Sequence, residues 1–240
     1  MFSSLNMPWL YYAPNLVYCQ VPKVSSTNVL TIMAKLNGIE ATSATVHRIR
    51  LPTLTDMKDK KQLEIMKNST KFLVVRHPFH RLLSCYFSKL VPNAKNKIMM
   101  PHLANKILKK VGSRNKYPSF FDFCTFIVSS NHSRETSREF LISQRHWLPQ
   151  IELCNVCSID FDAIIKLENS EKEYKLFFEN KGIHNVSVLL KNDQQTYEEK
   201  VSKYFSTLGD NLLNQIYSYY KNDFRFFNYS VTHLTINLIK

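Results

Sequence analysis

Leu16-Val17-Tyr18-Cys19-Gln20-Val21-Pro22-Lys23-Val24-Ser25-Ser26-Thr27-Asn28-Val29-Leu30 changes its structural character part-way along. Leu16 to Val21 is short, apolar and β-prone, and Pro22 ends it. Ser25, Ser26 and Thr27 are residue types that begin helices. Val29, Leu30, Ile32, Met33 and Leu36 then recur at helical spacing, and Asn37-Gly38 stops the run. The stretch reads as strand, tight turn, helix. A strand end that feeds a helix N-terminus offers backbone N–H groups and the positive end of a dipole, which suits a phosphate. Lys23 adds a positive charge, and Ser25, Ser26 and Thr27 add hydroxyl donors. These are the mechanics of a P-loop without its G-x-x-x-x-G-K-[ST] pattern. An ordinary capped helix has the same grammar, so taken alone the stretch leaves both readings open.

The grammar repeats downstream. Lys71-Phe72-Leu73-Val74-Val75 is an apolar strand of the kind buried in a parallel sheet. Arg76-His77 ends it, Pro78 suits a first helical turn, and Leu82, Leu83, Tyr86, Phe87 and Leu90 give the helix an apolar face. Arg76, at a strand end, can grip a phosphate in a planar fork or serve as an ion-pair partner. Ser84 lies two turns into the helix. Two strand-turn-helix units predict an α/β fold with a central parallel sheet flanked by helices. Further along, Phe120 to Val128 reads as a buried helix and Ile159 to Leu167 as a strand. Lys172 to Lys181 and Asn211 to Asp223 read as helices. The apolar, β-branched tail from Val231 to Lys240 has no assigned place.

A chain of 240 residues, 44% apolar, suits a single α/β domain with a full core and is not a disordered polymer. Its net charge of +13 attracts polyanions such as nucleic acid, anionic lipid or an acidic glycan. Between Leu90 and Phe121 there is no acidic residue, while Lys95, Lys97, Lys106, Lys109, Lys110, Arg114 and Lys116 fall there. A solvated loop and helix face would also look like this. No helix-turn-helix, RNP or Walker A pattern supports a nucleic-acid partner or a nucleotide kinase. Five cysteines leave at least one unpaired within the chain. Cys154 and Cys157 form a lone C-x-x-C with no second pair to complete a zinc site, leaving a redox pair or bonds to other partners. Sequons at Asn68, Asn131, Asn185 and Asn228 would matter only in the secretory pathway. Ser3, Ser4, Asn6, Pro8, Pro14 and Asn15 interrupt the first residues, so neither a membrane span nor a signal peptide is readable there.

Together the two motifs are specific. The sequence resembles the Golgi carbohydrate sulfotransferases of the HNK-1, chondroitin 4-O and dermatan 4-O group. Their 5′-phosphosulfate motif, Val-Pro-Lys-Val-x-Cys-Thr-Asn-Trp, stands here as Val21 to Val29. Their 3′-phosphate motif, Val-Arg-[His/Glu]-Pro-Phe-x-Arg-Leu-x-Ser-x-Tyr, stands here as Val75 to Tyr86, with Arg76, Arg81 and Ser84 in place. The likeness continues in His146-Trp147-Leu148-Pro149-Gln150, Cys154-Asn155-Val156-Cys157, Phe161-Asp162, Tyr220-Lys221-Asn222-Asp223-Phe224 and Phe227-Asn228-Tyr229, and so covers roughly residues 16–229. Ser26 departs from the family cysteine and Val29 from its tryptophan.

The resemblance implies a P-loop-like sulfotransferase fold and sulfuryl transfer from 3′-phosphoadenosine 5′-phosphosulfate (PAPS) to a hydroxyl of an anionic glycan, chondroitin- or dermatan-like or containing N-acetylgalactosamine, with no metal. It implies that Pro22, Lys23, Val24, Ser25, Ser26, Thr27 and Asn28 cradle the 5′-phosphosulfate, with Lys23 neutralising charge at the bridging oxygen. Arg76, Arg81 and Ser84 would bind the remainder of the cofactor, Arg76 and Ser84 at its 3′-phosphate. Two histidines compete for the general base. His47 lies between the two motifs, and His146 sits where a structural hydrogen bond is an equal reading. The basic stretch from Leu90 to Phe121 is expected to line the acceptor groove. A Golgi location and a membrane anchor follow from the family, although no anchor is visible. A non-catalytic glycan- or nucleotide-binding descendant of the fold is the alternative, and the retention of Lys23, Arg76 and Ser84 argues against it.

Overall fold

The computed structural model describes residues 10–95, 97–129, 137–183 and 194–231. The chain divides into two compact units, Met1–Arg76 with Gln150–Asn192, and His77–Pro149 with Asp193–Lys240. The unplaced tail lies outside the described residues from position 232 onward, as do the sequons at Asn131 and Asn185.

The first unit holds a four-stranded sheet in the order β1 (Leu10–Ala13), β2 (Leu16–Cys19), β3 (Thr70–Val75), β4 (Ala163–Lys166). β2 pairs with β3 and β3 with β4 in parallel, as the repeated grammar predicts. β1 pairs antiparallel with β2 and makes the sheet mixed at one edge, beside the expected parallel centre. The cause is local. Pro14 presets its φ, and Asn15 takes the left-handed conformation at φ 61°, a residue pair that closes a tight hairpin turn. Two of the residues that break the N-terminal apolar run, Pro14 and Asn15, therefore also make the turn.

All four residues of β2 and the last four of β3 are buried, as expected of strands covered on both faces. Tyr18 stacks on Phe72 with ring centroids 5.1 Å apart, and Phe178 meets Phe72 edge-on at 5.9 Å. Helix α1 (Ser26–Leu36) follows β2 and buries Val29, Leu30, Met33 and Ala34. Helix α2 (Asp59–Asn68) leads back into β3. The Asp162 carboxylate accepts from the Lys71 backbone N–H at 2.7 Å, and the Asp162 N–H donates to the Lys71 carbonyl at 2.8 Å, which pins the entry of β4 to β3.

Among the described residues the second unit is helical. It comprises α3 (Pro78–Lys89), α4 (Pro101–Val111), α5 (Phe120–Ser129) and α6 (Arg138–Gln144). The short α7 (Gln150–Leu153) and α8 (Ser170–Glu179) belong to the first unit, and α9 (Gln194–Phe205) and α10 (Gly209–Phe226) complete the second. Its core gathers Phe79, Leu83, Phe123, Phe126, Trp147 and Phe205, together with Ile216 and Phe224. Tyr220 is fully buried there and donates its hydroxyl to the Trp147 carbonyl. No helix among the described residues is long and apolar enough to cross a membrane.

Candidate functional site

In the first unit β2 ends at Cys19, and the loop to α1 carries the Val-Pro-Lys-Val motif. Val21 and Val24 are wholly buried and anchor it. Lys23 and Ser25 both take left-handed conformations, at φ 74° and φ 63°, in a loop without glycine. Such conformations cost non-glycine residues about 1–3 kcal/mol each and persist only where the surroundings over-determine them. Left-handed residues in such a turn aim successive backbone N–H groups at one point, the nest that binds anions. Ser25 is the N-cap of α1, yet its side chain makes no capping bond to the first turn. Its Oγ instead accepts from Asn28 Nδ2 at 3.0 Å, and the Asn28 N–H donates to the Ser25 carbonyl at 3.0 Å. The Ser25 hydroxyl is thus engaged by Asn28 and does not cap the helix end, which carries the positive end of the helix dipole.

Two neighbours converge on this loop. Arg76, at the carboxyl end of β3, donates from Nη1 to the Lys23 carbonyl at 3.3 Å. His47, in the 3-10 turn Val46–Arg48, shares a hydrogen bond of 2.8 Å between Nε2 and the Thr27 Oγ1, with the donor set by the ring tautomer. Pro22, Lys23, Val24, Ser25, Ser26, Thr27, Asn28, His47 and Arg76 thereby gather beyond the carboxyl ends of two adjacent parallel strands. Ligands of open α/β sheets bind in that position.

Gln150 is a residue that motif reading quoted without a role. Fully buried, its Oε1 accepts from the Arg76 N–H at 2.9 Å and its Nε2 donates to the Arg76 carbonyl at 2.8 Å. The amide extends the ladder beyond the last residue of β3 and fixes where Arg76 leaves the sheet. Cys19 is bonded to Cys154, which ties the end of β2 to the turn after α7. The C-x-x-C is therefore not a pair: Cys157 is a free, exposed thiol. Asp162, at the entry of β4, is a carboxylate held by Lys71. Burial raises its pKa, but hydrogen bonds and charge from Lys71 outweigh this and hold it below the usual aspartate value.

The remaining expected residues lie in the second unit. Ser84 is half-buried on α3. His146 is half-buried after α6, with Nδ1 3.1 Å from the Ser143 carbonyl, a local structural contact. Arg81 is enclosed within the second unit. It is only 1% exposed, and its guanidinium donates to the carbonyls of Leu148 at 2.7 Å and Arg145 at 3.0 Å. Burial pulls its pKa down, against the opposing charges of Tyr220 and Asp223. With these two bonds Arg81 holds the segment around Trp147 in place. An arginine in a motif gives no sign of this, because the type is rarely buried.

The sequence profile of the sulfotransferase family matches residues 12–230, a span that includes every one of these positions. The chain belongs to the sulfotransferase family. Carbohydrate sulfotransferase 10 of Danio rerio is 27% identical to it over 240 residues, covering 92% of this chain and 66% of that protein. Carbohydrate sulfotransferase 10 of Homo sapiens is 29% identical over 238 residues, with the same coverage of 92% and 66%. Carbohydrate sulfotransferase 11 of Mus musculus is 29% identical over 238 residues, covering 90% of this chain and 65% of that protein. This sulfotransferase-family chain spans a little under two thirds of the length of these relatives. No solved structure gives a significant match.

Proposed function

We propose that this protein is a carbohydrate sulfotransferase that takes its sulfuryl group from PAPS and delivers it to a hydroxyl of an anionic glycan. The observation that carries this reading is the glycine-free loop at the start of α1. Its Lys23 and Ser25 hold left-handed backbone, the kind of turn from which anion nests are built, with Arg76 on the Lys23 carbonyl and His47 on the Thr27 hydroxyl. The residues fit the donor: a helix N-terminus and a lysine suit the 5′-phosphosulfate. Arg76, together with Ser84 from the same motif, suits the 3′-phosphate. PAPS, when bound, supplies an activated sulfuryl group and departs as adenosine 3′,5′-bisphosphate.

Each side chain then has a task. Lys23 and the first N–H groups of α1 stabilise the charge that grows on the departing phosphate. His47 takes the proton of the acceptor hydroxyl as its oxygen bonds to sulfur, a task suited to an imidazole. Thr27 fixes the imidazole plane by its hydrogen bond. Disulfides persist in oxidising compartments, so the Cys19–Cys154 bond supports a lumenal setting such as the Golgi.

Calorimetry and radiolabelled transfer test the reading. Adenosine 3′,5′-bisphosphate is expected to bind more tightly than AMP by roughly 2–4 kcal/mol, the scale of charge-assisted bonds to the 3′-phosphate. Label from [³⁵S]PAPS is expected on a mixed glycan pool. Equal affinity for the two nucleotides would sink the donor assignment. Tight nucleotide binding without transfer to any glycan would leave a non-catalytic descendant of the fold.

A further inference from the structure

Helices α4 and α6 of the second unit wall a cavity of about 670 Å³. That lies within the roughly 300–1,000 Å³ of pockets that hold discrete ligands. Its lining has two characters. Met99, Phe140 and Ile142 supply apolar surface, and Met99 and Ile142 are among the exposed large hydrophobics. His102, Lys106 and Arg138 supply cationic or titratable groups, against the single carboxylate of Glu139. The Lys106 ammonium sits 3.9 Å from the centroid of the Phe140 ring, which places a positive charge on the cavity wall.

The setting selects the ligand's charge. His102, Lys106 and Lys109 recur at helical spacing on α4, and Lys109 and Lys110 are exposed beyond the cavity. They belong to the acid-free stretch from Leu90 to Phe121, which carries seven lysines and arginines. An extended polyanion can therefore lie along α4 with one of its units in the cavity. A pyranose ring that bears a carboxylate or sulfate ester matches both characters, because its C–H faces are apolar and its substituent is anionic. A lipid surface matches less well, since a flat bilayer cannot enter a concave site.

We infer that this cavity holds an anionic sugar unit of the acceptor, with Lys106 and Arg138 on its carboxylate or sulfate. The inference rests on the proposed glycan acceptor and adds where that acceptor is held. The full chain is titrated with a hexasaccharide of alternating uronic acid and N-acetylhexosamine, with its carboxyl-reduced counterpart, and with vesicles containing phosphatidylserine. The acidic hexasaccharide is expected to bind best. A Lys106→Gln, Arg138→Gln double variant should weaken it by roughly tenfold or more and flatten its salt dependence. Ile142→Trp, which fills the cavity and removes no charge, should weaken it comparably. Both variants should bind adenosine 3′,5′-bisphosphate as the parent does, which shows that they are folded. Unchanged hexasaccharide affinity in both variants overturns the inference, as does equal binding of the carboxyl-reduced sugar. Vesicle binding that depends on the same residues also overturns it and points to a membrane. If sulfuryl transfer persists in any of those cases, the proposed function stands and only the location of the acceptor falls. If neither nucleotide nor hexasaccharide binds, both fall.

Discussion

Replacing Gln150 with leucine tests whether the end of β3 is held for the purpose of aiming Arg76. The Gln150 amide accepts from the Arg76 N–H at 2.9 Å and donates to the Arg76 carbonyl at 2.8 Å, from a wholly buried position. Leucine keeps the volume and removes both bonds. Each abandoned backbone group costs about 1–3 kcal/mol when it stays dry. Arg76 itself is half-buried, so water can reach part of the gap and the lower half of that range applies. The expected loss is therefore roughly 2–4 kcal/mol of folding stability, read from urea denaturation. A second consequence separates aiming from mere stability. If Arg76 grips the 3′-phosphate, the folded Gln150→Leu protein should lose affinity for adenosine 3′,5′-bisphosphate and much less for AMP. Calorimetry of both nucleotides at a temperature where the variant is folded supplies the comparison. A variant within about 0.5 kcal/mol of the parent in stability, with unchanged preference for the bisphosphate, would refute the reasoning.

His47→Ala is expected to lower kcat by at least about a hundredfold while leaving nucleotide affinity intact. A folded His146→Ala should instead lose stability or acceptor binding, and the opposite pattern would reverse the two assignments. Asp162→Asn should cost of order 1 kcal/mol near neutrality, a modest figure because the carboxylate is half exposed. Because its folded pKa lies below the ordinary aspartate value, the parent's advantage is complete above that ordinary value. It fades as pH falls through the lower folded one, so denaturation curves of the two proteins should converge in acid. Cys154→Ser opens a bridge between residues 135 apart in sequence and should cost about 2–5 kcal/mol, whereas Cys157→Ser should leave the melting curve almost unmoved.

The parts of the fold written locally were legible. Strand, turn and helix signals for β2, α1, β3 and α3 each lie within about a dozen residues, and the parallel pairing follows from their repetition. What escaped notice depends on distance or on rare conformations. β1 is only four residues long, and its hairpin turn looked like an interruption. The Gln150 amide acts on a residue 74 positions away, which no periodicity reveals. The left-handed backbone of Lys23 and Ser25 has no local signal, because neither type favours it. The pairing of Cys19 with Cys154 could not be chosen among five cysteines by spacing. The bonds of Arg81 to the Leu148 and Arg145 carbonyls were not legible either, because a motif preserves residue type and is silent on which of the protein's own groups the side chain meets.

The strained loop and its fastenings belong to one argument. A P-loop usually gains its left-handed turns from glycine, which adopts them freely but leaves the loop mobile before a ligand arrives. This chain puts Lys23 and Ser25 in those positions, and so gains a charged side chain and a hydroxyl where glycine would offer neither. The conformational penalty must then be met by the surroundings. The fastenings cluster where that requirement predicts. The disulfide at Cys19 lies four residues before Lys23, Val21 and Val24 are buried on either side of it, and Asn28 holds Ser25 from within α1. Arg76 then adds its bond to the carbonyl of Lys23 itself. A loop held in this way is ordered before the anion binds. Its ordering cost falls on folding and not on association, and under the proposed function its donors would need no reorganisation as negative charge develops at the departing phosphate.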